Sequence, residues 1–199
     1  MKTSILNKLV LQKSIVKLLA VLTVTMPFSG GLFSNAMATP AAYVERNAFV
    51  QFGYQFGPGN LLAAIGAEIP FGEGLPIDVS FGGELNFRGG IGATVSVKGL
   101  VFPSLLGNPP IALAAAAEFS LYSSNSALGW RSRIGAISSF DFSPFVLTLA
   151  PYLGFGFGGA SFDLDTSARY YFEPFALEAN LNYSTLGSLT GSLGLRFLF

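Results

Sequence analysis

Phe175-Ala176-Leu177-Glu178-Ala179-Asn180-Leu181-Asn182-Tyr183 is the stretch whose reading decides the fold. Phe175, Leu177, Ala179, Leu181 and Tyr183 occupy alternate positions, and Glu178, Asn180 and Asn182 lie between them. Successive side chains of an extended chain point to opposite faces, so this period of two describes a strand with one apolar face.

The same pattern recurs outward from this stretch in both directions. After it, Leu189, Leu193, Leu195, Phe197 and Phe199 oppose Thr190, Ser192 and Arg196. Before it, Phe162, Leu164, Ala168, Tyr170 and Phe172 oppose Asp163, Asp165, Arg169 and Tyr171, and residues 145–157 place Phe145, Leu147, Leu149, Leu153, Phe155 and Phe157 on one face. Trp130, Ile134, Ala136 and Phe140 oppose Arg131, Arg133 and Ser139, and Ile111, Leu113, Phe119 and Leu121 oppose Glu118, Ser120 and Tyr122. Four more segments, at 48–56, 61–69, 77–87 and 91–101, complete a set of ten separated by Gly, Pro, Asn, Ser and Asp.

Charge placement tests what the faces touch. Glu68, Asp78, Glu84, Lys98, Glu118, Arg131, Arg133, Asp163, Asp165, Arg169, Glu178 and Arg196 all fall on the second face of their segments, and none interrupts an apolar face. Glu45, Arg46, Glu73, Arg88, Asp141 and Glu173 fall before the first segment or in connections. A soluble sandwich or lipocalin-like barrel would turn the apolar faces inward and leave the second face to meet water. That face carries Gly53, Ala64, Gly66, Gly82, Gly92, Ala112, Ala114, Ala116, Gly135, Ala150, Gly154, Gly156, Ala176 and Gly194, a poor soluble surface. It suits the crowded interior of a narrow barrel. The apolar face then suits lipid, where a sheet must close on itself to pair every backbone group. Tyr54, Phe56, Phe87, Trp130, Phe140, Phe145, Phe157, Phe172 and Phe175 at segment ends fit interfacial aromatic girdles. The expected fold is an all-β, closed antiparallel transmembrane barrel of about ten strands with short turns at both ends; eight and twelve strands bracket the count.

Composition narrows the chemistry. The chain of 199 residues has 51% hydrophobic and 11% charged residues, no Cys and no His. Disorder is excluded by the hydrophobicity, nucleic-acid binding by the lack of a basic surplus, and disulfides, thiolate metal sites and lipoprotein anchors by the missing Cys. The missing His removes the usual general base and the imidazole ligand of most zinc and haem sites. Residues 1–38 read as a cleaved secretory signal: Lys2, Lys8, Lys13 and Lys17 precede the apolar run Leu18–Phe28, and Ala36-Met37-Ala38 supplies the small-residue cleavage site. The run is shorter than the roughly 18–20 residues a spanning helix needs. Four of the 11 bases leave with this segment, so the expected barrel, residues 39–199, carries seven bases against 11 acids, a formal charge of −4.

The last octet, Ser192-Leu193-Gly194-Leu195-Arg196-Phe197-Leu198-Phe199, joins a polar residue, a Gly two positions later, and aromatics at the third-last and last positions. With the strand pattern, it resembles the bacterial outer-membrane β-barrel proteins, whose terminal β-signal has this form. The resemblance implies residence in the outer membrane and recognition of Ser192, Gly194, Phe197 and Phe199 by the barrel-assembly machinery. An ordinary closing strand with interfacial aromatics would look the same. It also implies that both termini face the periplasm, so that the short connections near residues 57–59, 88–90, 123–129, 158–160 and 184–188 face outside.

Folding the segments about their turns brings Glu68 and Asp78 together across the Phe71–Leu75 turn with Lys98 on the next strand, Glu118 to Arg133, and Arg169 to Glu178 with Arg196 beyond. Buried charges pair because an unpaired one is very costly, so the expected lumen is largely plugged by ion pairs and the expected role is structural, in the envelope, as a monomer. The alternative uses the same residues to line a narrow porin-like channel for small solutes, in space left by inward Gly and Ala. A third reading is an apolar ligand path along Leu62, Leu100, Ile137, Val146 and Leu198. No catalytic, cofactor or metal site is expected. Glu68 and Asp78 would make an acid/base pair, yet Lys98 offers both a simpler role. Asp163 and Asp165 are too few for a calcium site, and Gly154-Phe155-Gly156-Phe157-Gly158-Gly159 alternates like a strand with no helix after it, unlike a phosphate loop.

Overall fold

The structure, a computed structural model, describes residues 41–56, 59–72, 75–105, 110–124 and 127–199. The expected signal segment and its cleavage point after Ala38 lie outside the described residues. Among the described residues ten strands follow one another: β1 Asn47–Phe56, β2 Asn60–Pro70, β3 Ile77–Asn86, β4 Gly90–Leu105, β5 Ile111–Ser124, β6 Ala127–Asp141, β7 Phe145–Gly156, β8 Gly159–Phe172, β9 Phe175–Ser184 and β10 Ser188–Leu198. Each pairs antiparallel with its sequence neighbours, and β1 pairs with β10 from Asn47↔Leu198 to Phe56↔Leu189, closing the barrel. Closure leaves no strand edge unpaired, which a sheet in hydrocarbon requires.

The alternation in the chain becomes an inside and an outside. In β9, Ala176, Glu178, Asn180, Asn182 and Ser184 are buried, and Leu177, Ala179, Leu181 and Tyr183 are exposed. The wall facing away from the axis is apolar: Phe52, Ile65, Ile91 and Leu193 are each more than 60% exposed. The buried interior holds the arginines, carboxylates and amides. This inverts a water-soluble core and matches a barrel solvated by lipid.

Aromatic rings mark the two ends. At the end bearing Asn47 and Leu198, called the terminal end, Phe145, Tyr170, Phe172, Phe175, Phe197 and Phe199 form an unbroken chain of ring contacts with centroids 4.7–6.2 Å apart. Toward the far end, Tyr54 meets Phe56 at 5.2 Å and Phe119 meets Trp130 at 6.4 Å.

Two local features depart from the sequence reading. The fourth segment was expected to run over 91–101, whereas β4 continues to Leu105 through register shifts at Leu100/Phe102 and Phe102/Leu105. Pro103, which has no N–H for a regular ladder, sits among those shifts. Residues 41–46, read only as a lead-in, turn back into the barrel as an internal strap, with Ala41 and Ala42 fully buried.

Candidate functional site

The interior of the barrel holds the polar chemistry, in two networks. In the terminal half, Lys98 on β4 reaches Glu68 on β2 at 2.5 Å and Asp78 on β3 at 3.0 Å. Glu68 also meets Arg196 at 3.4 Å, and Arg196 donates to Asn47 Oδ1 at 2.9 Å and through Nε to Glu178. Arg169 pairs with the same Glu178 carboxylate at 3.0 Å. Arg196 thus ties β9 and β10 to β1 and β2 across the closure, with the Phe49 ring 5.0 Å from its guanidinium.

The strap completes this network. Glu45 accepts from Arg169 Nη1 at 2.7 Å, from the Tyr171 hydroxyl and from Asn47 Nδ2 at 3.1 Å, and its own N–H donates to Asp78 Oδ2 at 3.1 Å. Lys98 Nζ donates to the Ala41 and Tyr43 carbonyls, each at 2.5 Å, and the Ala42 N–H donates to Ser139 Oγ at 2.9 Å. Burial and the nearby Asp141 carboxylate push the Tyr43 phenol above its usual range. A cavity of about 350 Å³ at this mouth is bounded by Tyr43, Glu45, Asp141, Tyr171 and Glu173.

The second network lies toward the far end. Arg133 pairs with Glu118 at 2.8 Å and Asp165 at 2.9 Å, and Arg131 pairs with Asp163 at 2.6 Å and donates to Ser161 and Ser184. Both arginines are on β6 and both aspartates on β8, so the bridges pass over β7. The Arg131–Asp163 bridge passes because Gly154 lies beneath: a Cβ there would meet Asp163 Oδ2 at 3.1 Å and Arg131 Nε at 3.2 Å. The Arg133 guanidinium lies 4.5 Å from the Tyr152 ring, and that ring covers Gly135, where a Cβ would fall 2.6 Å from Tyr152 Cδ1. Phe49 covers Gly66 in the same way, 2.5 Å from the position of an added Cβ. At Gly66, Gly135 and Gly154 the space that inward glycines are expected to leave for solute is taken by the Phe49 and Tyr152 rings and the Arg131 guanidinium.

The sequence-named residues are placed as follows. Glu68, Asp78 and Lys98 meet, as do Glu118 and Arg133, and Arg169, Glu178 and Arg196. Glu84 helps bound a cavity of about 40 Å³, room for two or three waters, with Phe49, Ala64, Glu68, Thr94 and Arg196. Asp163 and Asp165 are buried partners of Arg131 and Arg133 rather than an open cation site. Of the apolar residues, Ile137 and Leu100 pack with Ala42, Ala112, Ala114, Ala150 and Tyr152, and Leu62 packs with Ala64. Ser192 is buried in the lumen, while Phe197 and Phe199 end the aromatic chain. Glu45, Asn47 and Gln51, which donates to Glu178 at 3.3 Å, belong to the interior and were not singled out by sequence reading. Among the described residues no group of three or more carboxylates is arranged to hold a metal ion.

No protein-family model matches the chain, and no curated protein matches it in sequence. Among solved structures, the KdgM porin in complex with disordered oligogalacturonate is similar, at 11% identity and a TM-score of 0.51, over 77% of this chain and 99% of that chain. The chain has the fold of an outer-membrane β-barrel. Weaker similarity links this barrel to the Acinetobacter baumannii outer membrane protein Omp33, at 9% identity and a TM-score of 0.42 over 80% of this chain and 100% of that one. A de novo designed transmembrane β-barrel compares at 11% identity and 0.42, over 82% and 99%.

Proposed function

We propose that this barrel is a monomeric structural protein of the bacterial outer membrane whose lumen is closed at rest by ion pairs, with no catalytic role. The supporting observation is the pairing of the interior charges: Arg133, Arg169 and Arg196 are each 1% exposed and each contacts at least two carboxylates. A solute would have to break such pairs, and breaking a buried pair costs about 3–5 kcal/mol. Terminal recognition by the barrel-assembly machinery through Ser192, Gly194, Phe197 and Phe199 is part of the same reading, and it puts the terminal end in the periplasm.

The second reading is a narrow passive channel for small solutes, favoured by the porin among the structures of like fold. The inward faces of the strands carry seven acids, Glu68, Asp78, Glu84, Glu118, Asp163, Asp165 and Glu178, against five bases, Lys98, Arg131, Arg133, Arg169 and Arg196. That excess opposes a polyanion such as the oligogalacturonate named for KdgM. Planar bilayer recording of the purified, refolded protein separates the readings. The closed barrel gives a flat baseline across applied voltages, and discrete conductance steps would overturn it.

A further inference from the structure

Cross-strand pairing lines up one neutral row through the charged interior. Gly53 on β1 lies beside Ser192 on β10, Ser192 beside Asn180 on β9, Asn180 beside Ser167 on β8, Ser167 beside Thr148 on β7, and Thr148 beside Ser139 on β6. Strands of a closed barrel tilt against its axis, so a row that runs from strand to strand also climbs from one mouth toward the other. Gly53 is near the far end of β1, and Ser139 is near the terminal end of β6. The row is small and uncharged throughout, whereas Arg169 and Glu178 flank it on one side and Asp165 on the other.

Two of its members point to an occupant. Asn180 Oδ1 and Ser167 Oγ are sealed from bulk solvent and have no protein hydrogen-bond partner, and neither does Gln51 Oε1 in the next row. Buried acceptors of this kind are satisfied by internal water. At its terminal end the row meets the strap, where Ser139 shares a 2.9 Å hydrogen bond with Thr148 and accepts the Ala42 N–H.

We propose that this row is a hydrated path for water and small hydroxylated solutes, and that residues 41–46 are its gate, closing it at Ser139. The inference rests on the closed barrel as the resting state. Hydroxyls and amides can exchange hydrogen bonds with a polyol, whereas an ion entering the row would lose its hydration without a fixed countercharge in the row itself. The gate is held by groups outside the path: Lys98 grips the Ala41 and Tyr43 carbonyls, and Arg169, Tyr171 and Asn47 hold Glu45. Glu45 is therefore the latch.

The test uses the full barrel refolded into phosphatidylcholine–phosphatidylglycerol vesicles, with glycerol entry followed by stopped-flow light scattering and barrel integrity by heat-dependent gel migration. Glu45→Ala removes charge-assisted hydrogen bonds and is expected to raise glycerol flux on the order of tenfold over wild type. Glu45→Gln, which keeps the shape of the latch, gives a smaller rise and serves if Glu45→Ala does not form a barrel. Adding Ser167→Phe to either variant fills the path and returns the flux to the wild-type level. The chain has no Cys, so Ala42→Cys with Ser139→Cys gives a clean disulfide lock. On the latch variant, oxidation suppresses the flux and reduction restores it. Flux unchanged in a latch variant in which maleimide labels Ala42→Cys would overturn the gate, and raised flux that survives Ser167→Phe would overturn the row. High flux through wild type would instead overturn the closed resting state, so the two failures are separable.

Discussion

Replacing Arg133 by Met will lower the stability of the barrel by about 3–5 kcal/mol, the cost of leaving buried partners without their countercharge. Arg133 is the centre of the far-end network: Glu118 lies at 2.8 Å, Asp165 at 2.9 Å and the Tyr152 ring beneath it at 4.5 Å. Met fills much of the same volume, so the loss is electrostatic rather than a cavity effect. Adding Glu118→Gln and Asp165→Asn to Arg133→Met should restore most of the stability, since neutral replacement of a whole buried ionic group is often tolerated. Reversible denaturant unfolding from lipid vesicles reads both variants. A loss for Arg133→Met below about 1 kcal/mol, the scale of a solvated surface pair, would show that water screens this layer.

Ile65→Arg tests the outer wall. Ile65 is 67% exposed near the middle of β2, so in a membrane its side chain faces hydrocarbon at mid-depth. Arginine there costs about 2–4 kcal/mol, whereas Phe56→Arg, at the end of β1, should cost about 0–1 kcal/mol. A protein whose outer wall faced water would tolerate both within about 0.5 kcal/mol. The depth dependence carries the conclusion, and the same unfolding assay measures it.

The barrel was legible because its signal is local and repeated. Stretches such as Phe175–Tyr183 declare their two faces without reference to anything distant, and short turns fix which strands meet. That is why Glu68, Asp78 and Lys98 could be brought together from turn positions: they lie on consecutive strands. Arg131 with Asp163 and Arg133 with Asp165 could not, because those pairs skip β7, and the first also depends on the side chain that Gly154 omits. Glu45 and the strap were invisible for another reason. Residues 41–46 have no period, and their burial is imposed by Lys98, Arg169 and Ser139, far away in the chain. Phe49 and Tyr152 are aromatics at inward positions, turned over Gly66 and Gly135.

The order of strands around the barrel has a kinetic consequence. Nine pairings join consecutive strands through short connections, the longest over residues 71–76, while the tenth joins β1 to β10 at opposite ends of the described strands. Local hairpins form quickly, but bringing distant segments together carries a larger loop-closure entropy. The β1–β10 seam is therefore the last pairing to form. Contacts across it, such as Arg196 with Asn47 and Glu68, are absent from the folding transition state, so weakening them leaves the rate of folding nearly unchanged and speeds unfolding, with φ near zero at Asn47. The seam sets how long an assembled barrel survives, not how fast it is made.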